Sequence, residues 1–382
     1  IMIRTTQAIH QDGAWRDETT SHPAEPGQCQ LVLAMGAREA LEAPGLTAYL
    51  RERYPLAAIA YASTAGEIAG SQVLDGCLVV TGLHFERTLI RAVCTHIRDH
   101  RDSADLGTHL MRELPKDGLA AVLVFSDGGM VNGSELARGL NRENQRGVPI
   151  TGGLAGDAAR FERTLCGLNE QLGTGLVVAI GLYGDALRVG HGSHGGWDEF
   201  GPVRMVTYAE SNVLYKIDGR SALSLYKEYL GSYAKELPGS ALLFPLSMQV
   251  DGSDHKLVRT ILSVNEENDS MTFAGDIPYG ARVRLMKANF DRLVDAANTA
   301  ARGSFKALGD MRPEFAMLVS CVGRKLVLQG RVEEEVEAAR DVLGTDTCTT
   351  GFYSYGELSP FNPSVACDLH NQTMTITTLS EA

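Results

Sequence analysis

Along the chain, short unbroken apolar runs take turns with longer stretches that have helical spacing. Leu31-Val-Leu-Ala-Met35 is an apolar run closed by Gly36, as in a buried strand, and residues 38–53 carry a helical pattern stopped at Tyr54-Pro55. Ala57-Ala-Ile-Ala-Tyr-Ala62, Gly76-Cys-Leu-Val-Val-Thr81, residues 88–93 and Leu119-Ala-Ala-Val-Leu-Val-Phe125 read as further strands, with helices at 103–114 and 133–144. Strands and helices are interleaved. The predicted fold class is therefore α/β (mixed α+β), with mixed sheets flanked by helices.

From residue 176 the pattern becomes strand, turn, strand around Gly184-Asp185, which predicts a hairpin leading into His191. Beyond 211–219 the same grammar resumes: a helix at 221–233, a strand at 241–246, hairpin-like runs at 258–264 and 271–274, and a helix at 289–302. A strand at 315–321 and a helix at 330–343 follow, and Met374-Thr-Ile-Thr-Thr378 alternates as an edge strand would. The polar lead to about residue 28 reads as an arm or an early edge strand. A chain of 382 residues exceeds what one growing core supports. The expected layout is an arm at 1–28, an N-terminal domain at 29–218 and a C-terminal domain at 219–382, the two domains of related grammar.

Composition narrows the function classes. With 44% apolar and 21% charged residues the chain should fold throughout. A net charge of −12 with no compensating basic run argues against nucleic acid and anionic membrane surfaces as partners. No eighteen-residue apolar stretch or signal-peptide layout is present, so the expectation is a cytoplasmic protein without membrane insertion. Seven cysteines stand singly with no CxxC pair, which argues against a disulfide framework, a zinc knuckle and covalent haem attachment.

The densest unusual composition is Val189-Gly-His-Gly-Ser-His-Gly-Gly-Trp-Asp198. Four glycines cannot be a helix interior and are poor core filler, so the backbone either bends sharply or lies close against something. His191 or His194 could ligate haem iron while Trp197 packs on a porphyrin face. The bland reading is a glycine-rich strand exit with hydrogen-bonded or exposed histidines; an anion nest is a third, without the ending of a P-loop.

A looser internal echo joins Ile59-Ala-Tyr-Ala-Ser-Thr-Ala-Gly-Glu67, Val148-Pro-Ile-Thr-Gly-Gly-Leu-Ala-Gly-Asp157 and Gly351-Phe-Tyr-Ser-Tyr-Gly-Glu357. These are either recurrent tight turns in which a carboxylate caps a backbone N–H, or turns that line one cleft. In the second case Ser63, Thr64, Glu67 and Asp157 would contact a small metabolite such as an amino acid. Ser126-Asp-Gly-Gly129 at a strand end offers a hydroxyl for a hydrolase, but no base or orienting acid is placed by sequence.

Taken in order, Ser63-Thr-Ala-Gly-Glu67, Gly152-Gly-Leu-Ala-Gly-Asp157, Gly181-Leu-Tyr-Gly-Asp185, Gly190-His-Gly-Ser-His-Gly-Gly-Trp197, Leu223-Ser-Leu-Tyr-Lys-Glu-Tyr-Leu-Gly231, Leu243-Phe-Pro-Leu246 and Gly351-Phe-Tyr-Ser-Tyr-Gly-Glu357 resemble FIST-domain proteins, from about residue 31 to Pro363. That resemblance implies a ligand sensor of bacterial signal transduction and not an enzyme, acting through a separate partner such as a histidine kinase or another signalling protein. Its NosP-type branch binds haem b and senses nitric oxide, a small diatomic gas. On that branch His191, within the Gly-His-Gly-Ser element, would be the axial ligand to the haem iron, with His194 able to substitute. The alternative is a FIST sensor of a small metabolite, without haem.

Overall fold

The structure is a computed structural model, and it describes residues 1–237, 239–250, 256–309, 311–361 and 366–382. Pro363, the far end of the resemblance, lies outside the described residues.

Three similar sheets form the body. Each is built on a parallel pair of buried strands joined through helices: Leu31–Gly36 with Ala58–Ser63, Leu119–Ser126 with Ile150–Leu154, and Phe315–Cys321 with Cys348–Ser354. An antiparallel strand then closes each pair on the side of its first member: Leu78–His84, Leu176–Tyr183 and Met374–Glu381. The entry strands Arg4–Gln11, Leu89–His96 and Leu187–His194 pair outside these. The other edge of each sheet is supplied by a hairpin from a different repeat. Glu67–Ala69 with Gln72–Leu74 joins the third sheet, Cys166–Leu168 with Gln171–Gly173 the first, and Gly356–Pro360 with Cys367–His370 the second. This cyclic exchange makes the body one unit, and strands from both sides of residue 219 share sheets.

The side chains follow the two-residue strand period. Leu31, Leu33, Met35, Ala121, Leu123, Phe125, Phe315, Met317 and Val319 meet in one central core, while Val122, Val124, Ala316 and Leu318 face the helical layer. Strands buried on both faces need continuous apolar runs, which is what the sequence carries at these positions.

A fourth, strongly bent sheet is inserted into the third repeat at residues 198–287, between strand Leu187–His194 and helix Phe290–Ala307. It runs from Leu257–Arg259 through the long strand Asp198–Glu210 to Ile261–Asn265, and encloses its own core around Leu214, Leu223, Met271 and Phe273.

Five expectations need correction. The segment 241–246 is not a strand: Gly239–Leu243 forms a 3-10 turn, and the strand there is Leu246–Gln249. Residues 176–194 are not a hairpin: Leu176–Tyr183 belongs to the second sheet and Leu187–His194 to the third, so Gly184-Asp185 hands the chain between sheets. Of the two readings of the lead, the arm fails, because Arg4–Gln11 has strand neighbours on both sides and Ile3, Ala8 and Ile9 are buried, while an early edge strand is present at Ala14–Glu18. The last strand is interior and buried along its length, and no edge. The helix expected over 38–53 is broken into Arg38–Leu41 and Leu46–Arg53 at Pro44-Gly45, where Gly45 takes a φ of 82°.

Candidate functional site

What lies close against the glycine-rich segment is helix Phe290–Ala307. A Cβ on Gly190 would stand 1.9 Å from the Ser304 carbonyl oxygen, one on Gly192 2.1 Å from that of Ala300, and one on Gly196 2.2 Å from that of Arg292. The helix answers with small residues, burying Ala296, Ala297, Ala300 and Ala301. Thr378, the cross-strand neighbour of Gly190, completes the contact by donating its hydroxyl to the Ser304 carbonyl at 3.2 Å. The glycines thus serve helix–strand contact.

His191 faces the other way. It pairs with Thr377, whose hydroxyl bonds Thr151 of the second sheet at 2.8 Å, so the imidazole sits between two sheets. It is 7% exposed, its Nδ1 is without a hydrogen-bond partner, and burial lowers its pKa and keeps the ring neutral. His194 is exposed at the end of the same strand. Trp197 is buried among Met286, Leu293, Val327 and Leu328, and its indole N–H donates to the Gln372 carbonyl at 2.9 Å.

The loop between them is held by a residue that sequence reasoning missed. Arg324 is fully buried and donates to Glu335, also fully buried, at 2.7 and 2.9 Å. Its remaining N–H groups reach the carbonyls of Gly195 and Leu293. Glu335 further accepts from Ser320 Oγ at 3.0 Å and from the Tyr353 hydroxyl at 2.7 Å. Glu335 stands in a run of three glutamates, where only the helical period could mark it as the inward member.

Ser63, Thr64, Glu67 and Asp157 are brought together, but their polar atoms are engaged within the chain. Ser63 Oγ donates to the Gly156 carbonyl at 2.7 Å and accepts from Leu165 N at 2.8 Å. Asp157 is buried against Arg38 at 2.9 Å and against Arg160. Glu67 accepts from the Thr64 hydroxyl and from Cys77, and burial pushes its pKa up to about 7. The third turn repeats this: Glu357 accepts from Ser354 Oγ at 2.7 Å and from Thr373 Oγ1 at 2.9 Å, and burial raises it to about 8. Ser126 is buried and donates to the Asp127 carbonyl at 3.0 Å. None of these residues, nor His191, His194 or Trp197, lines the cleft that opens nearby.

That cleft, about 280 Å³, lies between the body and the inserted sheet. The body contributes the loop 128–132, Leu154, Phe161 and Tyr355; the insert contributes Asn212, Leu262 and residues 273–275. It sits at the carboxyl ends of the parallel strands Leu119–Ser126 and Ile150–Leu154, where α/β sheets commonly take ligands. Asp127 fixes the loop by accepting from the backbone N–H groups of Gly129 at 2.8 Å, Met130 at 2.6 Å and Gly175 at 2.9 Å. Asn132 caps helix Gly133–Arg142 through Glu135 N at 3.1 Å, and its amide N–H reaches Asp276 of the insert at 2.8 Å. Arg138 pairs with the same Asp276 at 2.9 Å, tying insert to body below the cleft.

Phe161 forms the outer wall. Its ring stacks on Tyr355 at 4.4 Å and 17°, and its φ of 55° is uncommon for a bulky residue. The Tyr355 hydroxyl holds that conformation, accepting from Phe161 N at 3.0 Å and donating to the Ala158 carbonyl at 3.2 Å. Two of the echoed turns reach the cleft, through Leu154 and Tyr355, with their carboxylates directed inward.

Among the described residues no group of three or more His, Cys, Asp or Glu side chains is arranged to hold a metal ion, and no helix is long and apolar enough to cross a membrane. No curated protein matches the chain. A crystal structure of a cyanuric acid hydrolase from A. caulinodans aligns over 99% of each chain at 8% identity, and its TM-score of 0.38 carries no argument about function. The FIST N domain matches residues 30–220 and the FIST C domain residues 222–360. The chain therefore belongs to the FIST family, whose domains are sensory modules of signal transduction.

Proposed function

We propose that this FIST protein is a non-catalytic sensor whose small-molecule ligand binds in the cleft between the body and the inserted sheet. One observation carries the reading: the cleft wall is shared by two units with separate cores, so an occupant touches both and biases their relative placement. The change would be read by a separate signalling protein; a histidine kinase is the partner class that the resemblance implies. The test uses protein purified from cells, denatured to release small molecules for mass spectrometry, beside Gly129→Trp. Gly129 lines the cleft, a Cβ there would have its nearest neighbour 3.7 Å away, and the backbone is not left-handed, so the loop accepts a side chain and an indole at this position is placed to obstruct the cleft. A species released by the wild type and absent from Gly129→Trp supports the reading; equal release from both overturns it.

Haem on His191 is a second reading, favoured by the neutral, unpartnered Nδ1. The donor suits iron, yet the space beside it does not suit a porphyrin. Strand Leu187–His194 is covered by helix Phe290–Ala307 on one face and packs toward strands Leu119–Ser126 and Gly356–Pro360 on the other. The residues as packed do not fit the group. Nitric-oxide sensing through haem would require the two sheets to part, and titration of the purified protein with haemin should give no Soret shift that His191→Ala abolishes.

A further inference from the structure

We infer that the cleft takes a flat, uncharged ring compound of one or two fused rings, an inference that rests on the cleft being the sensory site. Every residue lining the cavity is uncharged. The two carboxylates behind its walls are already engaged: Asp127 with three backbone N–H groups, Asp276 with Arg138 and Asn132. The nearby Arg160 is turned to Glu39 and Asp157. The buried Arg259, beside Gly275, donates to the carbonyls of Asp276, Val258 and Leu369, so an ammonium or a carboxylate entering here would lose water and meet no charged side chain among the lining residues, which is costly for any ion. Free amino acids carry both groups, so this chemistry works against the metabolite class expected from the sequence.

The walls favour a ring. Phe161 and Tyr355 already form one stack, and the exposed side chains of Met130 and Leu262 supply apolar surface to the same cleft. Phe161 is 44% exposed and Met130 56%, apolar surface that an occupant would cover. The left-handed backbone at Phe161, held by the Tyr355 hydroxyl, keeps the aromatic ring at the cleft in place of the glycine such a conformation favours. Asn212, whose amide N–H bonds the Phe273 carbonyl at 2.8 Å, brings a side-chain oxygen that can accept from a ring N–H. A space of about 280 Å³ suits a bicyclic molecule and excludes larger cofactors.

Matched probes test the charge rule. Indole, quinoline and adenine are titrated against tryptophan and indole-3-acetate, which add a zwitterion or an anion to the same ring. Methyl-labelled Met130 reports the location, with Phe161→Ala and Gly129→Trp as variants. The expected result is that at least one uncharged ring shifts the Met130 methyl resonance, neither charged indole does so at equal concentration, and Phe161→Ala weakens the binding about tenfold. If tryptophan or indole-3-acetate shifts Met130 as strongly, the charge rule is overturned while the cleft stands as the site. Ring binding that leaves Met130 unmoved and survives Gly129→Trp overturns the cleft reading as well. If no probe moves Met130, the ligand class is overturned, and the released-metabolite experiment decides the site independently.

Discussion

Replacing Gly192 with alanine separates packing from binding in the glycine-rich segment. The new methyl would sit 2.1 Å from the Ala300 carbonyl oxygen, so strand and helix must part by about 1.3 Å to restore an ordinary contact of about 3.4 Å. No trimming of a helix side chain relieves this, because the opposing atom is backbone. Gly190 and Gly196 rest on the same helix, so the displacement spreads along the whole contact. Overpacking of this kind costs roughly 1–3 kcal/mol, and rigid backbone on both sides points to the upper end. For a chain of this length the unfolding entropy is about 0.8 kcal/mol/K, so a loss of about 3 kcal/mol lowers Tm by about 4 °C. Gly192 has no left-handed φ to complicate the result. Gly303→Ala is the control: it lies on the same helix, a Cβ there would stand 3.6 Å from Gly192 Cα, an ordinary contact, and alanine favours the helix. Calorimetry of both variants should show Gly192→Ala destabilised and Gly303→Ala unchanged or slightly stabilised. A Gly192→Ala protein as stable as the wild type would refute the packing argument.

Three other outcomes follow from the buried polar groups and the cleft wall. Glu67 is raised from 4.5 to about 7, so its folded form binds more protons than its unfolded form between those values, and stability falls as pH rises through that window. Glu67→Gln should lessen that slope by about 3 kcal/mol accumulated to about pH 8, leaving the part that the raised Glu357 contributes, in urea denaturation at stepped pH; an unchanged slope contradicts the assignment. Arg324→Met strands Glu335 without its cation and should cost about 3–5 kcal/mol, most of it recovered in Arg324→Met/Glu335→Gln, with no recovery counting against the pair. Tyr355→Phe removes the hydroxyl that holds Phe161 and Ala158, and should cost about 1 kcal/mol while raising proteolytic cleavage near residue 160; unchanged cleavage would mean that the loop holds itself.

The parts of the fold legible in sequence are those whose determinants are local. Leu31–Gly36, Leu119–Ser126 and Phe315–Cys321 read as strands because burial on both faces forces an unbroken apolar run. Pairing partners are another matter. Leu187–His194 looks like the second arm of a hairpin because its true neighbour, Met374–Glu381, lies almost two hundred residues away. The glycines at 190, 192 and 196 correctly signal a close approach, yet residue types could not say that the approaching object is a helix of the same chain. The cleft is half visible: Tyr355 stands in the third echoed turn, but Phe161 is 194 residues distant from it and carries no motif. Arg324 and Glu335 are silent for the same reason, since a buried ion pair is marked by its surroundings and not by its spacing.

Amide hydrogen exchange on the protein with and without its released ligand tests the central claim most directly. The account predicts that protection rises together at 128–132 on the body and 273–275 on the insert, with 190–197 unchanged. Protection confined to 190–197 or to the turn at 63–67 would contradict it and move the site away from the cleft.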